Sequence, residues 1–161
     1  MSELRDLLVR TASRIADYRE GVADARVFPD AGPADLRAAF GGPLPAGPSS
    51  STEVIDDLVT AATPGLVATT GPRYFGFVIG GALASATAAD LLATGWDQPA
   101  YNAVSAPAAA VVEEVSGGWL KELLGIPATA SFGFVTGAQA ANTVGLAAAR
   151  HHVLDAVGYD V

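Results

Sequence analysis

The run Ser131-Phe-Gly-Phe-Val-Thr-Gly-Ala-Gln-Ala-Ala-Asn-Thr-Val-Gly-Leu-Ala-Ala-Ala-Arg150 decides how the whole chain is read. Phe132, Phe134 and Val135 make a short, apolar, β-prone segment. Thr136 and Gly137 are turn and cap residues, and Ala138 to Arg150 is rich in helix formers. The pattern predicts strand, tight turn, helix. A helix that opens from such a turn leaves its first backbone N–H groups unpaired and its positive dipole end at the turn, which makes a seat for an anion. Gly137 allows close backbone approach, Ala138 is too small to block a phosphate, and Thr136 and Gln139 add candidate side-chain donors. Neither familiar phosphate motif is present: there is no G-x-G-x-x-G and no G-x-x-x-x-G-K-[ST]. On spacing alone this is a weak signal, and an ordinary strand-to-helix connection in an α/β domain is the favoured explanation of the run.

Composition narrows the partners. A chain of 161 residues can bury a core for one domain. Half of its residues are hydrophobic and its mean hydropathy is +0.34, apolar for a free-standing protein of this size, so a covered subunit face or further polypeptide is expected. The net charge of −8 argues against nucleic acid, whose phosphates select basic surfaces. Without cysteine there is no disulfide framework and no thiolate chemistry. The first residues, Met1-Ser-Glu-Leu-Arg-Asp6, carry both signs of charge and no apolar run, so no signal peptide is expected. The longest apolar run, Phe75 to Ala89, is mostly small residues and too short to span a bilayer. A cytoplasmic location is the expectation.

Outward from the quoted run, the rest of the chain reads mainly as helices. Leu4, Leu7, Leu8, Ala12, Ile15, Tyr18 and Val22 recur at helical spacing, with Ser2 as a cap and Gly21 near the end. Phe28 to Ser51 is a Pro- and Gly-rich connector in which Pro33 to Phe40 can form a short helix. Ser51 or Thr52 is expected to cap the next helix, which stops near Thr63-Pro-Gly65. Thr69 to Gly81 reads as a loop with an aromatic cluster, Tyr74, Phe75 and Phe77, either a pocket wall or interface packing. Ala82 to Thr94 reads as a small-residue helix, and Trp96, Asp97, Gln98, Tyr101 and Asn102 as a polar turn at a pocket rim or dimer seam. Pro107 starts a helix through about Leu124, striped by Val111, Val115, Trp119 and Leu123 and ended by Gly125. Glu113 and Glu114 are sequence neighbours on different faces, so they read as solvated or interface carboxylates, not an acid/base pair. Arg150, His151 and His152 close the last helix, where cations complement the dipole; no metal-ligand spacing surrounds them.

Several segments in order carry a family resemblance. They are Pro72-Arg-Tyr-Phe-Gly-Phe-Val-Ile-Gly-Gly81, Ala88-Ala-Asp-Leu-Leu-Ala93, Trp96-Asp-Gln98, Ala106-Pro-Ala-Ala-Ala110, Glu113-Glu114, Trp119-Leu-Lys-Glu-Leu-Leu-Gly125, Val135-Thr-Gly-Ala-Gln-Ala-Ala-Asn142 and Gly145-Leu-Ala-Ala-Ala-Arg150. From about Thr52 onward the chain resembles the group II pyridoxal-phosphate (PLP) decarboxylases, which include the aromatic amino-acid and glutamate decarboxylases and, more distantly, sphingosine-phosphate lyase. The resemblance implies the N-terminal part of an α/β, fold-type-I PLP enzyme, mostly helical in this piece, with the first strand-helix unit of the large domain. Residues 1–103 would form a helical and extended segment for dimer and pocket contacts, and residues 104–161 the incomplete start of the PLP-binding large domain. Thr136, Gly137, Ala138 and Gln139 would hold the phosphate of pyridoxal 5′-phosphate; Tyr74 and Phe75 would line the substrate pocket. The family usually carries a His where this chain has Gly71, so one polar contact is missing.

The resemblance also implies a remainder. A PLP enzyme needs a Schiff-base lysine, and the family's lies beyond residue 161, as do its ring-binding Asp and stacking His. The only lysine here, Lys121, sits on the polar side of an amphipathic helix and reads as a solvated cation. The expectation is therefore an amino-acid decarboxylase (a lyase) whose N-terminal third is this chain. Its partner is the rest of the enzyme, as a second chain or a missing C-terminal part, and the whole is a homodimer. No catalytic residue, metal, nucleic acid or membrane is assigned to this chain, which by itself should be inactive. Two alternatives stay open: a non-catalytic dimerisation module or degenerate fragment, and an aldehyde-lyase of the sphingosine-phosphate lyase type.

Overall fold

Leucines and isoleucine at helical spacing, with a serine in front, produce the first element of the computed structural model, which describes residues 2–99 and 101–159. Helix α1 spans Glu3–Gly21; the Ser2 hydroxyl accepts a hydrogen bond from the Arg5 amide at 3.3 Å, satisfying one orphan donor of the first turn. Helix α2, Pro33–Phe40, begins with the expected proline at its first turn. Helix α3, Ser51–Ala62, passes into a 3₁₀ turn at Thr63–Gly65. Its cap is Ser50, one residue before the expected Ser51 or Thr52. The reason is the capping box Ser50-Ser-Thr-Glu53, in which the Glu53 amide donates to the Ser50 hydroxyl at 3.2 Å while the Ser50 amide donates to the Glu53 carboxylate at 3.0 Å. Helix α4 covers Ala84–Trp96, starting two residues later than Ala82 and taking in Trp96, which therefore is helical rather than part of a turn. Helix α5 is Pro107–Leu124 and α6 is Ala138–Asp155. The last helix thus continues beyond Arg150 and His151, leaving His152 in its final turn.

One expectation fails here. Residues 131–135 form no strand, and the described residues contain helices only. A strand exists through ladder hydrogen bonds to a neighbour, and no other described segment supplies one. The β-prone composition of Phe132, Phe134 and Val135 therefore has nothing to pair with in this chain.

The residues divide into two compact units, Met1–Ala88 and Ala89–Val161. In the first, α3 packs on α1 and on α2. Arg14 of α1 donates to Asp56 of α3 at 2.6 Å, with Arg10 at 3.4 Å on the same oxygen. Thr11, Ile15 and Tyr18 face Leu58, Ala62 and Leu66 across a mostly apolar cleft of about 520 Å³. The Ala68 amide donates to the Val27 carbonyl at 3.0 Å, tying the chain after α3 back to the connector after α1. In the second unit, Asn102 accepts from the amides of Val104 and Ser105, shaping the turn before Pro107. Gly125, at φ 66°, terminates α5; only glycine takes that left-handed conformation without steric cost.

Burial is sparse. Among the described residues the buried hydrophobics are Val22, Ala68 and Ala106 alone, and the predicted α5 stripe of Val111, Val115, Trp119 and Leu123 stands exposed, Trp119 by 69%. The chain exposes 12856 Å². Two separate compact bodies of half its 16.2 kDa each would expose about 9,000 Å² together. The 161-residue chain alone is expected to bind anilinonaphthalene sulfonate and to self-associate; a monomer that leaves the dye dark and melts cooperatively would contradict this reading.

The capping box generates a second expectation. The Ser50 backbone amide, then its hydroxyl, hydrogen-bonds the exposed Glu53 carboxylate and holds its carboxyl below the usual carboxylate range. Because the folded value lies below the unfolded one, the stabilisation is complete above the ordinary glutamate range and is lost as pH falls through the depressed value. Acidification should loosen the first turn of α3, read as a lower protection factor, against the unfolded chain at the same pH, for the Val54 amide, which donates to the Ser50 carbonyl. Glu53→Gln should flatten that pH dependence.

Candidate functional site

The turn before α6 owes its geometry to one glycine. Gly137 is the N-cap residue with φ 138° and ψ 170°, a combination essentially restricted to glycine. No side chain caps the helix. The first intrahelical bond runs from the Ala141 amide to the Gly137 carbonyl at 3.1 Å, so the amides of Ala138, Gln139 and Ala140 precede the helical ladder. A Cβ built on Gly137 meets nothing within 4 Å, so the space above the helix tip is open. Thr136 and Gln139 are exposed beside it. Between Glu122 and Asp155 the sequence has no acidic residue, so no carboxylate of this segment competes for those donors. The donor set of backbone N–H groups, a hydroxyl and a carboxamide fits a phosphate ester.

The aromatic loop lies in the first unit. Tyr74 is half-buried, its amide donating to the Gly71 carbonyl at 3.2 Å and its hydroxyl crowding Gly76, where a Cβ would sit 2.8 Å away. Phe75 points to solvent with 93% of its surface exposed. Beyond them Phe77 and Val78 both have positive φ, near 54° and 55°, which is strained for a bulky and a β-branched residue. Arg73 anchors the loop by donating to the Ala25 carbonyl at 2.6 Å. Gly71, where the resembled family has His, packs against backbone: a Cβ there would lie 3.0 Å from the Val22 carbonyl oxygen and 3.1 Å from that of Ala68. A histidine at this position would require the chain to shift. The clefts of the first unit lie elsewhere, along α1 and α3 and, at about 440 Å³, between α2 and α3 near Asp35 and Asp57.

Lys121 departs from expectation. Its side chain is half-buried, and its ammonium donates to the carbonyls of Ala128 at 2.9 Å and Ala130 at 3.0 Å. The nitrogen also lies 5.7 Å from the centroid of the Phe132 ring. Sequence reasoning missed this because periodicity places a lysine on a helix face but says nothing of the chain that folds back over it. The available signal was its position in the last turn before Gly125 and Pro127, where a chain reversal presents carbonyls to a terminal cation. Gly117, one turn earlier, is buried under Phe132, which meets Phe134 edge-on at 5.9 Å.

In sequence and in backbone this chain is similar to PLP-dependent decarboxylases. No family model matches it. It is 27% identical over 152 residues to tyrosine decarboxylase 1 of Narcissus pseudonarcissus, covering 91% of this chain and 30% of that protein. It is 29% identical over 126 residues to the aromatic-L-amino-acid decarboxylase of Bos taurus, covering 78% and 26%. Its backbone superposes on Oryza sativa TDC with PLP and tryptamine at a TM-score of 0.81, with 25% identity, over 98% of this chain and 36% of that one. Against Catharanthus roseus tryptophan decarboxylase in complex with L-tryptophan the TM-score is 0.67 at 26% identity, over 78% and 27%. The chain therefore resembles the N-terminal portion of the aromatic-amino-acid branch of the group II decarboxylases, and it spans about a third of the length of the curated relatives it matches.

Packing at Gly117 yields a test. Alanine in place of a helical glycine gains about 1 kcal/mol of helix propensity. A Cβ at Gly117 would overlap the Phe132 ring, and overpacking of that kind costs about 1–3 kcal/mol. The clash outweighs the propensity, so Gly117→Ala should lower the stability of this region in denaturant titration. The same substitution in a Phe132→Ala background should be neutral or stabilising.

Proposed function

We propose that this chain is the N-terminal part of a PLP-dependent decarboxylase acting on an aromatic L-amino acid. It would supply the cofactor-phosphate turn and part of the substrate pocket. The observation that carries the reading is the similarity to the Oryza sativa TDC with PLP and tryptamine over nearly the full length of this chain. The relatives named above are decarboxylases, which favours carboxy-lyase chemistry over the aldehyde-lyase alternative and over a non-catalytic module.

When bound, PLP supplies an electron sink for the pair left behind as carbon dioxide departs. This chain's part is binding and enclosure. The amides of Ala138 and Gln139 donate to the phosphate, aided by the positive end of α6. The Thr136 hydroxyl and the Gln139 carboxamide add donors at its rim. Gly137 sets the turn from which those amides begin, and the absence of a β-carbon keeps the approach open. Tyr74 and Phe75 contribute aromatic surface to the substrate side, where an aromatic amino acid gains by ring-on-ring contact. The reactive lysine comes from polypeptide outside these 161 residues, and the complete enzyme is a homodimer. Apart from that polypeptide the chain is inactive.

The test is cofactor titration of the complete protein, followed by its visible absorbance. Replacing Gly137 by Ala forces a side chain into a glycine-only conformation, a strain of about 1–3 kcal/mol, so PLP affinity should fall by about tenfold or more. Gln139→Ala should cost less, because one rim donor is lost and the amides remain. Unchanged affinity in the Gly137→Ala protein, with the phosphate bound by other segments, would overturn the assignment.

A further inference from the structure

We propose that Lys121 is a positioning residue: it clamps the Ala128–Phe132 segment against the last turn of α5 and so sets where the chain enters the Thr136–Gln139 turn. The inference rests on the phosphate-binding reading of that turn for its functional consequence, and on side-chain geometry for the clamp itself.

Lys121 is the only lysine of the chain. Its ammonium has three donors, and two are given to carbonyls two residues apart, Ala128 and Ala130. Bonds from a charged donor to backbone carbonyls are stronger than neutral ones, and the Ala130 bond is part-buried, where water competes less. The Phe132 ring lies within cation–π range of the same nitrogen. That ring is in turn seated on Gly117, four residues before Lys121 and therefore on the same face of α5. Three successive alternate positions, 128, 130 and 132, are thus held to one helix face by one side chain and one glycine.

The clamp matters because the next stretch has little else to hold it. Residues 131–135 carry no ladder hydrogen bonds, and Phe132, Phe134 and Val135 are each at least 41% exposed. Five Cα-to-Cα steps lead from Phe132 to Gly137, a reach of at most about 18 Å even when fully extended. Fixing Phe132 therefore restricts where Gly137 and the first amides of α6 can lie. Releasing Lys121 would leave the turn intact in sequence and loose in place, and an anion site loses affinity when its donors must be ordered at the moment of binding. The same geometry commits the amine to structure, so it is not the group that bonds the cofactor aldehyde.

The experiment uses the intact protein, purified with every polypeptide that accompanies this chain. Lys121 is the only lysine of these 161 residues, so labelling is read at its own peptide by mass spectrometry: in the native protein its modification should be about tenfold or more slower than after unfolding, as expected for an amine holding two charge-assisted bonds. Lys121→Met keeps the aliphatic stem and removes the donors. It should speed amide exchange across 131–137 and weaken PLP binding by about tenfold, while Lys121→Arg, which retains charge and donors, should recover part of both. Borohydride reduction of the PLP-loaded protein should leave no pyridoxyl label on this chain. Native labelling as fast as unfolded, or unchanged exchange in Lys121→Met, would overturn the clamp, and a label on Lys121 would overturn its structural role. Altered exchange in a protein that binds no PLP would support the clamp and refute the cofactor reading instead.

Discussion

Trp119, Leu123, Val111 and Val115 line up along α5 and face water, and the energetics of the whole chain follow from that arrangement. Each such side chain is worth about 1.5–3 kcal/mol when fully buried, and with the four still 42–79% exposed the chain collects only part of it within the described residues. The surface beyond that of two compact bodies approaches 4,000 Å², the scale of an obligate interface rather than a transient one. Helices with apolar stripes persist in native proteins because tertiary packing covers the stripe. Here the stripes are present and the cover is not among these residues. The match spans about a quarter to a third of the relatives' length.

What order the chain does have comes from short-range devices. Ser2, the Ser50–Glu53 box, Pro33 and Pro107 at first turns, and Gly125 after a last turn each satisfy or spare backbone groups that water would otherwise have to meet. Long-range ion pairs and side-chain hydrogen bonds are few. Arg14 and Arg10 share Asp56, and all three side chains are substantially exposed, so the pair adds little energy and serves mainly to choose how α1 crosses α3. Lys121 is the counterpart in the second unit. Its bonds go to backbone carbonyls, which makes it a device for placing chain rather than for pairing charge.

The two candidate regions differ in how they are prepared. The turn at Gly137 is built from backbone: its conformation follows from one glycine's φ, and its donors from the helix that begins there. An anion site of that kind would need few specific side chains, and the better-known phosphate signatures are absent from this run. The aromatic loop around Tyr74 and Phe75 is built from side chains, and one of the two projects almost wholly into solvent. Gly71 adds a local reason for the difference from the resembled family: carbonyls of Val22 and Ala68 occupy the space that a larger residue would need.

Most of the helices were legible from residues alone. The start of α5 at Pro107 and its end before Gly125, the span of α2, and the cap and length of α1 follow from proline, glycine, serine and apolar period, all of which act within a few residues. The Ser50 cap was also written in the sequence, as a serine three residues before a glutamate. The turn at Gly137 and the start of α6 at Ala138 could be read because both are properties of one glycine and the helix formers after it. The strand at 131–135 could not be read correctly, since β structure is a relation between segments and a composition rich in Phe and Val cannot state whether a partner exists. Nor could the role of Lys121: a helical wheel places it on a polar face, and only the reversal of the chain after Gly125 brings the carbonyls of Ala128 and Ala130 to its amine. Local steric and capping preferences travel with the sequence, whereas pairing, burial and the partners of a long cation are decided only once distant segments have met in space.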